Sequence, residues 1–260
     1  MMGYTNSPLV NYKLLSPCNS GERTHCVDRI TPHCVVGQAN VEGLGSLFQN
    51  YSRQTSSNYG IGTDGRIGLY VEEKNRSWCS SSAANDQRAI TIECASSTYA
   101  PYEMNAAVYN SLIKLCVDIC KRNGKKKLLW LGSKEKTLNY EPKNDEMVLS
   151  AHRWFANKSC PGEWLYSRFG DLADRVTREL NTAIAKLYRV QIGAFGDEKH
   201  ADAYAEKAKK KGFPAIVRTE HISGKKMFLV QCGAFSEYKN AKNFVKDLKK
   251  AGFDAIIKEA

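Results

Sequence analysis

His33, His152 and Cys160 are ligand types that zinc favours, and Lys158 sets a cation two residues ahead of the cysteine. Three protein ligands leave one coordination position open. That separates a catalytic zinc from a structural one, whose four protein ligands leave no place for water. In the segment from Ser150 to Gly162, Pro161 precedes the apolar series Leu165, Phe169, Leu172, Val176 and Leu180. A helix is therefore predicted to start at Pro161, with Cys160 as its N-cap. A cysteine there feels the positive end of the helix dipole, and with Lys158 nearby its thiolate is favoured. His33 lies in Ile30-Thr31-Pro32-His33-Cys34-Val35-Val36-Gly37, a β-branched run that reads as a strand. On spacing alone a histidine beside an apolar strand more often packs than ligates, so both readings stand at this point.

The elements that must position these residues divide the 260-residue chain into two domains, expected at 1–183 and 186–260. The second contains an internal repeat. Val190-Gln191-Ile192-Gly193-Ala194-Phe195 recurs 40 residues later as Val230-Gln231-Cys232-Gly233-Ala234-Phe235, and Gly212-Phe213-Pro214-Ala215-Ile216 recurs as Gly252-Phe253-Asp254-Ala255-Ile256. Each copy reads as a strand, then a helix burying Ala201, Tyr204, Ala205 and Ala208 (or Ala241, Phe244, Val245 and Leu248), then a second strand after a glycine. Two such units predict a ferredoxin-like βαββαβ domain with one sheet face left free. The joint, Thr182 to Lys186, lacks a Pro/Gly/Ser-rich tract and reads as a short helical continuation.

Nine cysteines in a chain this long, odd in number and scattered, point to free thiols in a reducing compartment. Cys116 and Cys120 fall on an amphipathic pattern from Ala106 to Arg122, where they pack as small apolar side chains. Cys18, Cys26, Cys34, Cys79 and Cys94 lack the Cys-x-x-Cys spacing of a second metal site. No apolar run is long enough to span a bilayer, and the Met1–Ser7 start has neither a basic nor an apolar stretch. Synthesis in the cytoplasm without a signal peptide is expected.

Four motifs carry a family resemblance: Thr31-Pro32-His33, Asp64-Gly65-Arg66-Ile67 on a hairpin, Ala89-Ile90-Thr91-Ile92-Glu93, and the His152–Gly162 segment. Over about residues 8–180 the chain resembles the type-2 N-acetylmuramoyl-L-alanine amidases, which include phage endolysins and peptidoglycan recognition proteins. The resemblance implies an α/β (α+β) domain with a mixed central sheet flanked by helices. It implies Zn2+ bound by His33, His152 and Cys160, Lys158 as oxyanion stabiliser, and Glu93 as a carboxylate beside the metal. A non-catalytic peptidoglycan-binding protein and a stem-peptide metallopeptidase are the rival functions. Two positions depart from the family pattern. Ser57 aligns with the family's catalytic tyrosine, with Tyr59 two residues on along the same strand face, and Trp78-Cys79 stands where many relatives have Trp-His. The polar stretch from Lys134 to Asp145 is expected to border the cleft before His152.

The Val-Gln-x-Gly-Ala-Phe repeats resemble the SPOR peptidoglycan-binding domains, which implies that glycan strands bind the open sheet face. Gln191, Phe195, Gln231 and Phe235 are the candidate contacts, and completing the strands and core is at least as good a reading of both phenylalanines. The +11 net charge suits an anionic wall polymer as a further partner. The domain lacks the aromatic Lys/Arg-Gly-Phe strand motif that stacks bases, so nucleic acid is not the expected ligand.

Overall fold

The computed structural model describes residues 4–184 and 187–259. The chain divides into two compact units, Met1–Thr182 and Ala183–Ala260. The first opens with β1 (Tyr12–Lys13), β2 (Asn19–Glu22), β3 (Arg29–Cys34) and α1 (Val41–Leu47), then the hairpin β4 (Tyr59–Ile61) and β5 (Ile67–Leu69). β6 (Asn75–Ser77), α2 (Ala83–Arg88), β7 (Ala89–Cys94) and α3 (Ala106–Arg122) follow. β8 (Lys127–Leu129), α4 (Lys134–Leu138), β9 (Glu146–Leu149), α5 (Glu163–Tyr166) and α6 (Phe169–Ile184) complete the unit.

Among the described residues, seven strands form one mixed sheet in the order β1-β5-β4-β7-β3-β9-β8. Its centre, β4-β7-β3-β9-β8, is parallel. Parallel strands covered on both faces bury every side chain, and β3 is buried along its whole length. The two-residue period then sorts the residues. Ile30 and Cys34 of β3 and Ile90, Ile92 and Cys94 of β7 join the apolar core with Leu112, Cys116 and Ile119 of α3 and Phe169, Leu172 and Val176 of α6. Thr31, His33, Thr91 and Glu93 therefore project from the opposite face.

Helix α3 covers the predicted Ala106–Arg122, with the Asn105 side chain accepting from the Val108 amide as N-cap. Cys116 and Cys120 are fully buried, and all nine cysteines are free. The 134–145 stretch departs from expectation. Parallel pairing of β8 with β9 requires the connection to run back along the sheet, so Glu141 reaches Arg88, 3.3 Å away, at the start of the parallel strands, and Lys125 donates to the Asn144 carbonyl. Its second half lies at the strand end opposite His33.

The second unit comprises β10 (Tyr188–Phe195), α7 (Glu198–Lys210), β11 (Ile216–Ile222), β12 (Lys225–Phe235), α8 (Tyr238–Lys250) and β13 (Ile256–Glu259). Its antiparallel sheet has the order β11-β12-β10-β13. The ferredoxin-like reading matches this topology. Val190, Ile192, Phe228, Val230 and Cys232 pack against Ala201, Ala205, Ala208, Ala241 and Leu248. The repeated Gly-x-Phe has a steric cause: a Cβ on Gly193 would meet the Phe195 ring at 2.6 Å, and one on Gly233 the Phe235 ring at 2.9 Å. Each ring folds back over the glycine onto Tyr204 or Phe244. Both phenylalanines are partly buried and pack against the core on the helix side of the sheet. Lysines close both helices, Lys207, Lys209 and Lys210 on α7 and Lys249 and Lys250 on α8, where they offset the negative end of the dipole. Of the expected joint, Thr182 to Ile184 continue α6, while Ala185 and Lys186 lie outside the described residues. Among the described residues no helix is long and apolar enough to cross a membrane.

Candidate active site and metal centre

Three parallel strands deliver the site at their C-terminal ends, where open α/β sheets bind ligands. His33 is the penultimate residue of β3, and Glu93 pairs with it in register on β7. β9 leads into a 3-10 turn, His152–Trp154, whose first residue is the second histidine. A fully buried polar triangle lies behind them. Thr31 Oγ1 and Ser150 Oγ are 2.7 Å apart, Ser150 donates to Asn85 Oδ1 at 2.9 Å, and Asn85 Nδ2 donates to Thr31 Oγ1 at 3.0 Å. Thr31 and Ser150 each precede a candidate ligand by two residues, so the triangle ties the backbone carrying His33 to that carrying His152. Buried and mutually satisfied, such groups fix a position rather than merely occupy it.

One ligand atom from each of His33, His152 and Cys160 falls within 4.8 Å of the others. Cys160 Sγ lies 3.3 Å from His33 Nδ1, and the two imidazole centroids are 5.0 Å apart. Glu93 Oε1 is 3.8 Å from His33 Nδ1. Burial and the neighbouring His152 hold His33 well below its ordinary pKa, while burial and Lys158 lower that of His152. Both rings are therefore neutral at pH 7, the form that offers a lone pair to a metal. Burial pushes the Glu93 carboxyl up to about 7, against an opposing hydrogen bond from Cys79. His33 Nε2 and Glu93 Oε2 are buried without a hydrogen-bond partner. Two imidazoles and a thiol fit zinc, whereas a hard cation would require an oxygen cage.

The structure brings Cys160 beside His33, but the helix N-terminus expected at Cys160 is not there. The helix starts at Glu163, not Pro161, and its N-cap is Gly162 at φ 82°, a left-handed conformation that an L side chain resists. A Cβ there would also press within 2.9 Å of the Pro101 carbonyl oxygen. Cys160 is thus two residues short of the cap, and no dipole lowers its thiol. A hydrogen bond with Cys34, burial and the charge of Glu93 push it well above its ordinary value instead. The thiolate expected from the helix terminus needs a bound cation to form.

Lys158 is exposed and lines a cavity of about 370 Å³ with Trp78, Cys79, Ser81 and His152. Tyr59 is directed elsewhere. Its hydroxyl donates to Glu73 at 2.6 Å and accepts from the Ser7 amide, and the residue is fully buried. Ser57 hydrogen-bonds Thr91 on the strand of Glu93. Arg88, just ahead of β7, pairs with Asp28 at 2.6 Å. Three residues enter the site without having been singled out for it. Cys79 donates to Glu93 Oε1 at 3.8 Å, Ser81 Oγ lies 3.1 Å from His152 Nε2, and Asn85 completes the triangle. The Trp78-Cys79 departure was the one sequence signal pointing to any of them.

Residues 23–163 match the N-acetylmuramoyl-L-alanine amidase family, and residues 185–259 match the SPOR domain. No curated protein matches the sequence. Among solved structures, the chain is similar to the peptidoglycan binding domain of the Bacillus subtilis cell wall lytic enzyme CwlC, at 44% identity over 29% of this chain and 90% of that one, TM-score 0.26. A mutant endolysin from Bacillus subtilis is 15% identical over 64% of this chain and 99% of its own, TM-score 0.44. The amidase LysC from Clostridium intestinale is 16% identical over 66% and 95%, TM-score 0.41. More than half of the chain, including every residue that converges at the strand ends, falls within the first of the two matches, and the chain belongs to the N-acetylmuramoyl-L-alanine amidase family, with a SPOR domain following the amidase domain.

Proposed function

We propose that this peptidoglycan amidase hydrolyses the amide between the lactyl group of N-acetylmuramic acid and L-alanine, using zinc held by His33, His152 and Cys160. The convergence of those three side chains, with Glu93 beside His33, carries the reading. Bound zinc would supply an electrophile for the carbonyl oxygen and lower the pKa of water from about 15.7 to roughly 7. Glu93, with its carboxyl near 7, suits proton exchange at neutral pH. It takes the proton of the attacking water and returns it to the amine of L-alanine as the C–N bond breaks. Cys79 holds the carboxylate for that exchange. The Lys158 ammonium offsets charge on the former carbonyl oxygen, a contribution of about 3–4 kcal/mol for a single such donor.

Residues 1–183 form the catalytic domain in this reading, and residues 186–260 attach it to the wall. Attachment uses the sheet face away from α7 and α8, where Arg218 donates to Gln231 and where Ile216 and Ile256 are about half exposed. The module's surplus of lysines adds attraction to anionic wall polymers that salt weakens.

Digestion of isolated Gram-positive wall, with and without chelator and beside Cys160→Ser, tests the proposal by mass analysis of new chain ends. Free L-alanine amino termini that require both metal and Cys160 are expected. Termini within the stem peptide would make it a metallopeptidase, and bound but intact wall a recognition protein.

A further inference from the structure

We propose that Arg153 is a positioning residue that holds His152 and Cys160 at a set separation, so that metal affinity and thiolate ligation depend on it; this rests on the zinc reading above. Arg153 follows one candidate ligand directly and reaches across to the other. Its backbone N–H donates to the Cys160 carbonyl at 3.0 Å. Its guanidinium donates through Nη2 to the Ser159 carbonyl at 2.8 Å and through Nη1 to Glu163 Oε2 at 2.9 Å. The same group lies 4.5 Å over the Tyr166 ring.

The intervening residues Asn157, Lys158 and Ser159 are exposed, so apolar packing does little to hold that stretch in place. The base of the clamp is rigid by contrast. Trp154 is buried and stacks on Trp130 at 5.6 Å and 8°, and Trp130 meets the edge of Tyr166, the ring beneath Arg153. The turn bearing His152 and the ring that seats the guanidinium therefore belong to one aromatic cluster. Only a planar fork spans a carbonyl and a carboxylate while stacking on a ring; an ammonium meets one acceptor as a point charge. Glu163 is two-thirds exposed. An ion pair of that kind adds little to overall stability, which leaves geometry as the function of the contact.

The test uses full-length protein loaded with Co2+ in place of zinc. Affinity is read by competition with a chromophoric chelator, and thiolate ligation by the sulfur-to-cobalt charge-transfer band. Arg153→Ala should weaken metal binding about 10- to 100-fold, the usual cost of removing an outer-shell support, and reduce the band per bound metal while circular dichroism is unchanged. Arg153→Lys should recover part of both, and Glu163→Gln should lose less. Wild-type affinity with a full band in Arg153→Ala overturns the proposal. If that variant does not fold, Arg153→Lys and Glu163→Gln decide on the same two readouts, and wild-type values in both overturn it. A band absent from the wild type, or kept by Cys160→Ser, removes the zinc reading and this inference with it.

Discussion

In the second unit, residues with the same task recur 40 positions apart, and each copy builds its own strand, helix and returning strand from neighbours in sequence. In the first, Cys160 and His33 are 127 residues apart and meet because β3 and β9 run parallel side by side. The repeat is robust because its function, as proposed, is spread over a sheet face. The amidase site gathers single residues, each carried by a different segment. A substitution should therefore act at the first site through chemistry and at the second through packing, and the two should not exchange.

Loss of a candidate ligand is the severest test. Cys160→Ser and His33→Ala should reduce hydrolysis to the level of metal-free protein, with zinc content falling in parallel by elemental analysis and pelleting with insoluble wall unchanged. Wall binding lost along with activity would break the division of labour between the units. Glu93→Gln should lower kcat by about 10²- to 10⁴-fold, the range for a positioned general acid–base group. Zinc content should stay at wild-type level, so equal loss of metal would recast Glu93 as a ligand.

Packing substitutions should give intermediate effects of the opposite character. Gly193→Ala forces a Cβ to within 2.6 Å of the Phe195 ring and Gly233→Ala one to within 2.9 Å of Phe235. Each should cost about 1–3 kcal/mol by urea unfolding, Gly193 the more, with turnover of a soluble substrate unaffected. A wild-type unfolding curve for both would show that the repeated glycine has a role other than space. The smallest change in stability is expected for Gln191→Ala and Gln231→Ala, within about 0.5 kcal/mol for positions only partly buried. Their effect should appear as weaker retention on glycan, and unaltered retention would move the binding surface off that face.

Much of this architecture was legible in the chain. The repeat predicted βαββαβ because alternation, amphipathic spacing and a terminating glycine are local signals. The α3 pattern likewise fell where the helix does. What failed were inferences that needed a neighbour. Pro161 looked like the first residue of a helix, yet Gly162, pressed against the Pro101 carbonyl, sets the start at Glu163. Phe195 and Phe235 were open to either a ligand or the core, and contacts with Tyr204 of α7 and Phe244 of α8, which the repeat alone could not show, set them against the core. The 134–145 stretch was assigned to the cleft from its place before His152, and the direction of a parallel crossover carried its second half to the other end of the sheet.

Residue identity and local order by themselves determined the candidate ligand set, the two-domain division of the reading and the topology of the repeat, because ligand type and short-range periodicity depend on a few adjacent side chains. The tertiary structure alone decided that Thr31, Ser150 and Asn85 close a triangle behind the site, and that Cys79 meets Glu93 while Tyr59 turns to Glu73. Those contacts depend on strand register, and a shift of one residue would have sent Thr31, Tyr59 and Glu93 to the opposite face of the sheet.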